Sequence, residues 1–158
     1  MSENQKNDPT AGNLLISEPF LQDENFIRSV ILLCDHNEEG SFGLVLNKPS
    51  ILHLGDLVEE LAFLDNKVFV GGPVEQNTLH FIYFGEKALE GSNPIGNGIW
   101  WGGDFESLVE NLKLGRLEPQ DIMFFIGYSG WGAGQLTEEL EANTWIVYRD
   151  QISQQTLQ

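Results

Sequence analysis

The run Ile122-Met123-Phe124-Phe125-Ile126-Gly127-Tyr128 constrains the chain most. It is apolar throughout, so it predicts a buried strand that other elements must cover. Ser129-Gly130-Trp131-Gly132-Ala133-Gly134 follows, with three glycines at alternate positions. A helix is predicted from Gln135 to Ala142, burying Leu136 and Leu140 and exposing Glu138, Glu139 and Glu141. The glycine-rich stretch therefore reads as a strand-to-helix turn.

Such a turn can bind anions, because free N–H groups and the helix dipole converge on it. Each motif it approaches fails by a named residue. Gly130 and Gly132 begin a dinucleotide fingerprint, but Gln135 stands where its third glycine belongs. A phosphate loop needs Gly-Lys-Ser/Thr, and no lysine is present here. Gly127-Tyr128-Ser129-Gly130 suggests a nucleophile elbow, yet Trp131 replaces the closing glycine and no His follows residue 80. Close helix–strand packing under Trp131 fits better.

Elsewhere, Gly12–Ser17 predicts a first strand, and Ser29–His36 with Ser41–Asn47 predicts a hairpin turned at Asn37-Glu38-Glu39-Gly40. Both faces of Val30–Cys34 are apolar, as in a central strand. Gly43, opposite the Phe42, Leu44 and Leu46 face, points to close approach by another element. Pro49 stops the return strand. Leu54, Leu57, Val58, Leu61 and Leu64 follow at helical spacing. Lys67–Val70, Leu79–Phe84, Ile99–Trp101 and Thr144–Tyr148 read as further strands, and residues 85–97 as the longest irregular connection. Asp104 caps an amphipathic helix on Phe105, Leu108, Val109 and Leu112 that ends at Gly115. Hairpins mixed with helical crossovers predict an α+β fold around a mixed sheet. Residues 1–11 read as a flexible tail, 12–148 as one domain and 149–158 as a loose tail.

The bases are scattered singly, and 24 acids against 8 bases give a net charge of −16. Nucleic-acid affinity rests on clustered Lys and Arg, so direct DNA binding is not expected. The acidity serves solubility, or attraction to a basic partner. No run suits a membrane span, and a single Cys34 fits a reducing, cytoplasmic setting. Cys34 and His36, two apart on a strand, fit a Cys–His pair or two metal ligands, but no further ligand spacing is recognisable and a structural Cys is the commoner use. Adjacent acids such as Glu138-Glu139 diverge and form no catalytic dyad. Trp100-Trp101-Gly102-Gly103 offers a surface for stacking a ring. No cofactor, metal or catalytic residue is expected, and a monomer is the default.

Three segments together carry a family resemblance. They are Gly12–Ile16 with Leu21–Asp23 and Phe26–Val30; His36–Pro49; and Gly71-Gly72-Pro73-Val74 with Gly127–Leu136. In these the chain resembles the YqgE/AlgH family of bacterial proteins, over roughly residues 12–148. The resemblance implies a branched sheet with a small barrel-like part, surrounded by helices. It brings a transcriptional-regulator label from a genetic link to alginate production, and no catalytic residues. The motif positions transfer as candidate binding residues: Asn47, Lys48, Pro49, Gly71, Gly72, Pro73, Ser129, Gly130, Trp131 and Gly132. The expected function is binding, to a protein or a small molecule, with regulation acting through a partner. The alternative is an enzyme of unrecognised chemistry, with a cleft near Asn47, Gly71 and Ser129.

Overall fold

A computed structural model describes residues 8–150 and 152, apart from 22, 25 and 97. The first seven residues of the expected N-terminal tail lie outside the described residues, as do 151 and 153–158 of the C-terminal one. In chain order the elements are β1 (Leu14–Ser17), β2 (Val30–Asn37), β3 (Gly40–Val45), β4 (Pro49–His53), α1 (Leu54–Leu57), β5 (Lys67–Val70), β6 (Val74–Phe84), β7 (Asn93–Gly96), β8 (Ile99–Trp101), α2 (Phe105–Lys113), β9 (Ile122–Gly132), α3 (Gln135–Glu141) and β10 (Trp145–Tyr148). Short 3₁₀ turns cover Glu59–Leu61 and Pro119–Asp121.

The fold is α+β, on one mixed and branched sheet of order β10-β1-β2-β3-β9-β6-β8-β7. Every pairing is antiparallel except that of β5 with β9. The branch lies in β9. Phe124–Ile126 pairs with both β5 and β6, whereas Ser129–Gly132 pairs with β3. Gly127, at φ +68°, stands between the two halves. Only glycine takes that conformation routinely, and it re-aims the strand from one partner set to the other. The sheet is not closed into a barrel: among the described residues no ladder joins β10 to β7.

Alternation along the strands feeds three cores. Phe124 turns toward α2 and packs with Leu61, Val68, Leu108 and Leu112. Phe125 turns the other way, into a central core with Leu32, Leu44, Ile82 and Ile99. Ile31, Leu33 and Val45 face a third core, closed by Trp131, Leu136 and Trp145. Residues 31–34 of β2 are all buried and divide between the last two cores, as a central strand requires. Ile152 is buried in the central core.

Several expectations are corrected. The glycine-rich stretch is no turn: β9 runs on through Gly132, and the junction shrinks to Ala133 and Gly134. Its pairing with Gly40–Gly43 holds it extended, against the turn preference of its residues. The return strand β3 does end ahead of Pro49, at Val45, but Pro49 then opens the edge strand β4, where its missing N–H costs no ladder bond. The Leu54–Leu64 helix is broken at Val58, which is extended, and a 3₁₀ turn then brings Leu61 into the α2 core. Within 85–97 the chain forms β7, against β8. No helix among the described residues is long and apolar enough to cross a membrane.

Candidate functional site: an aromatic patch across four strands

The motif positions come first. Asn47 bridges backbone, its Oδ1 accepting from Val30 N at 3.0 Å and its Nδ2 donating to Arg28 O at 2.8 Å. Lys48 O accepts from Val70 N at 2.7 Å. Partial burial lowers the Lys48 ammonium below its ordinary pKa, while the Asp23 carboxylate opposes that shift. Pro49 and Pro73 are exposed. Gly71 O accepts twice, from Val45 N at 2.8 Å and from Ser129 Oγ at 3.1 Å. A Cβ on Gly71 would stand 2.5 Å from Gly127 O, and one on Gly72 would stand 2.2 Å from the Tyr128 carbonyl. Gly130 and Gly132 are exposed, and Gly132 N donates to Gln135 Oε1 at 2.9 Å.

So the Gly71 and Ser129 motifs do meet, as interlocked backbone. The Ser129 hydroxyl is fully buried and donates to a carbonyl, so it faces no substrate and has no base beside it. Trp131 is buried over Gly43, where a Cβ would stand 2.7 Å from Ile31 Cγ2 and 2.9 Å from Leu32 O, which explains the missing side chain. Its indole N–H donates to Glu139 Oε1 at 3.1 Å, and Trp145 Nε1 donates to the same oxygen at 2.9 Å. Glu139 is therefore an internal clamp and not part of a solvated acidic face, whereas Glu138 and Glu141 are exposed as expected.

The Cys34–His36 pair does not form. A bulge between Leu33 and Asp35 breaks the alternation of β2. Cys34 points into the central core, where burial and then Asp35 push its thiol far above the ordinary range. His36 lies opposite Ser41, whose next neighbour on β9 is Trp131, on the other face. Its Nδ1 meets Ser41 Oγ, and its Nε2 lies 3.8 Å from an Asp8 carboxylate oxygen. No cluster of three metal-ligating side chains occurs among the described residues.

What the fold assembles instead is a set of rings on neighbouring strands. Phe42 on β3, Tyr128 on β9, His80 on β6 and Trp101 on β8 are all half-buried. Phe42 sits at the centre, with ring centroids 4.9 Å from Trp101, 5.1 Å from Tyr128 and 5.9 Å from His80. His80 and Tyr128 meet edge-on at 5.6 Å. These are favourable aromatic spacings, and the rings cap the open end of the central core.

The tautomer of His80 follows from its neighbour. Thr78 Oγ1 donates its hydrogen to Glu75 O at 2.7 Å, so at 2.9 Å it can only accept from His80 Nε2. A neutral His80 then carries its proton on Nε2 and a lone pair on Nδ1. Burial keeps the ring below its ordinary pKa of 6.5, with Glu75 acting in the opposite direction. Among the described residues, neither the Tyr128 hydroxyl nor the Trp101 indole N–H has a hydrogen-bond partner. Both tips reach solvent, since the buried side-chain polar atom without a partner among the described residues is Ser29 Oγ. The patch thus combines ring faces with two open polar tips and one imidazole acceptor.

Sequence reasoning reached Trp101 as a stacking candidate and missed Phe42, His80 and Tyr128 as a group. No local signal joins positions 42, 80, 101 and 128; only the strand order does. A separate cavity of about 700 Å³ lies between the loop after β6 and α2. It is lined by charges of both signs, including Lys87, Glu90 and Arg116, and includes none of the motif positions.

Residues 14–156 match the protein family described as AlgH-like. The chain belongs to the AlgH-like family. Among its relatives, a UPF0301 protein of Cytophaga hutchinsonii is 46% identical over 139 residues, covering 87% of this chain and 76% of the relative. One from Bacteroides fragilis is 42% identical over 144 residues, covering 90% and 73%. The solution structure of the AlgH protein from Pseudomonas aeruginosa aligns with a TM-score of 0.71 at 28% identity, over 95% of this chain and 82% of that one. A crystal structure from Corynebacterium diphtheriae aligns with a TM-score of 0.75 at 23% identity, over 91% and 78%, which speaks to the fold alone.

Proposed function

We propose that this AlgH-like chain is a cytoplasmic binding protein, and that the Phe42, His80, Trp101 and Tyr128 patch is its contact surface. The observation that carries this reading is the contrast between two neighbourhoods. Gly71 and Ser129 are closed on one another and Asn47 on the backbone of Arg28 and Val30, whereas the patch next to them keeps polar tips open to solvent among half-buried rings. A regulatory role, as in the family's label, then acts through a bound partner or small molecule. The charge balance of the whole chain supports that route over contact with DNA.

Ligand screening by thermal shift tests the reading, because a specific binder raises the melting temperature by mass action. A binder is expected to raise the melting temperature of the native chain and to lose that effect on Phe42→Leu and Trp101→Leu. A binder that acts equally on both variants would place the contact surface elsewhere. Turnover of any substrate that disappears with Ser129→Ala would favour the enzyme reading. Tight, sequence-selective shifting of duplex DNA at low salt would overturn the indirect route.

A further inference from the structure

The cavity of about 700 Å³ between the loop after β6 and α2 is built by different parts of the fold from the ring patch. Its size falls within the range of small-molecule sites, about 300–1,000 Å³. One wall is the loop, which contributes Glu86, Lys87 and Glu90. The other is the C-terminal end of α2 and the turn after it, which contribute Asn111 and Arg116. Half-buried Leu89 and buried Leu117 give the lining its apolar surface.

Hydrogen bonds hold both walls. Leu89 N donates to the Tyr83 hydroxyl at 2.6 Å, and Ser92 Oγ donates to Gly102 O at 2.8 Å. Ser92 has one hydroxyl hydrogen, so the 2.6 Å contact between the two hydroxyls is a donation from Tyr83 to Ser92. Asp104 N, at the N-cap of α2, donates to Glu90 O at 2.7 Å. Gly103 lies so close to the loop that a Cβ there would stand 2.5 Å from Ser92 Oγ. On the other wall, Arg116 N donates to Asn111 O at 3.0 Å. The backbone around the cavity is therefore ordered before any ligand arrives, which lowers the cost of binding.

The charges select the ligand. Two of the chain's 8 bases, Lys87 and Arg116, line this cavity, against 3 of its 24 acids, Glu86, Glu90 and Asp121. The molecule is acidic as a whole, and here the two signs come close to balance. Glu86, Lys87, Glu90 and Arg116 are exposed, and among the described residues no ion pair or hydrogen bond joins these four side chains to one another. A simple anion would meet Arg116 and Lys87 but face the carboxylates. A simple cation would meet the carboxylates but face the guanidinium and the ammonium. A ligand that carries both signs finds a complementary partner for each. Leu89 and Leu117 give an apolar body between those charges a surface to cover.

We propose that this cavity binds a small apolar zwitterion, an amino acid or short peptide with free amino and carboxyl ends. Its carboxylate sits on the Arg116 guanidinium, whose fork suits two parallel N–H···O bonds, and its ammonium on Glu86 and Glu90. The site does not depend on the ring patch being a contact surface.

The test titrates the full chain with L-leucyl-L-leucine, its N-acetyl form, its C-terminal amide and L-leucine. Binding is followed by NMR at the backbone amides of 86–90 and 111–117. Leucyl-leucine is expected to saturate with a dissociation constant on the order of millimolar. Each capped form is expected to bind about fivefold more weakly, as loss of one ion pair within reach of solvent implies. Arg116→Gln is expected to weaken leucyl-leucine about fivefold and to spare the amide form, which has no carboxylate to lose. Glu86→Gln with Glu90→Gln is expected to weaken it by about the same factor and to spare the N-acetyl form. Lys113→Gln removes a base from the same helix but outside the cavity, and is expected to leave all four unchanged.

Leucine that binds as tightly as the dipeptide supports an amino acid as the occupant, and a tighter dipeptide supports a peptide. Capped forms that match the dipeptide on the native chain would overturn the proposal, and that comparison needs no variant to fold. Arg116→Gln acting alike on every ligand would also overturn it, as would amides that respond to none of the four.

Discussion

Glu139 shows how one side chain can serve a role that its neighbours in sequence hide. One carboxylate oxygen receives both indole donors, and Trp131 and Trp145 stack edge-on at 6.1 Å beneath it. Both tryptophans are buried, so neither N–H has water as an alternative partner. Glu139→Ala is expected to destabilise the fold by about 2–4 kcal/mol, since it strands two buried donors. Glu139→Gln keeps an acceptor oxygen and is expected to cost about 1 kcal/mol. Glu138→Ala, on an exposed side chain, is expected to stay within about 0.5 kcal/mol. Urea unfolding of the three variants distinguishes the clamp from a solvated acidic face. His80 makes a pH-dependent contribution of defined sign. Its folded pKa lies below the ordinary 6.5, so the unfolded chain binds its proton first as pH falls. Its contribution to stability is complete above pH 6.5 and is lost as pH drops through the lowered folded value. Calorimetry between pH 8 and pH 5 is expected to show a fall in melting temperature that His80→Gln reduces. An unchanged slope in that variant would place the titrating group elsewhere.

At the scale of elements, β9 organises the sheet, and Gly127 lets it serve two sets of partners. A side chain there must adopt φ +68° and would place its Cβ 2.6 Å from Gly72 O. Gly127→Ala is therefore expected to destabilise by at least about 2 kcal/mol, from backbone strain and overlap together. Asp104 supplies a local comparison. It accepts from Ser107 N at 3.1 Å and Ser107 Oγ at 3.0 Å, and Asp104→Ala is expected to cost about 1 kcal/mol. A larger effect at Gly127 than at Asp104 in chemical denaturation is the expected order. Helix α2 was legible because its cap, its apolar spacing and its Gly115 stop all lie within a dozen residues. The β2–β3 hairpin was legible for the same local reason. The second half of β9 was not, because Ser129–Gly132 is extended through bonds to residues 40–43, far away in sequence. The break at Val58 was hidden because a 3₁₀ turn delivers Leu61 to the same core that a helix would. The aromatic patch is the extreme case: each ring sits on a recognisable strand, and the grouping exists only in the strand order.

For the whole molecule the dominant quantity is charge, with 24 acids against 8 bases. Self-repulsion of this kind weakens the compact state, because unfolding moves like charges apart. Raising NaCl from about 10 mM to 500 mM shortens the screening length from roughly 30 Å to about 4 Å. Melting temperature is therefore expected to rise with salt at neutral pH. A melting temperature that falls with added NaCl would show that local pairs, and not net repulsion, govern the folded state.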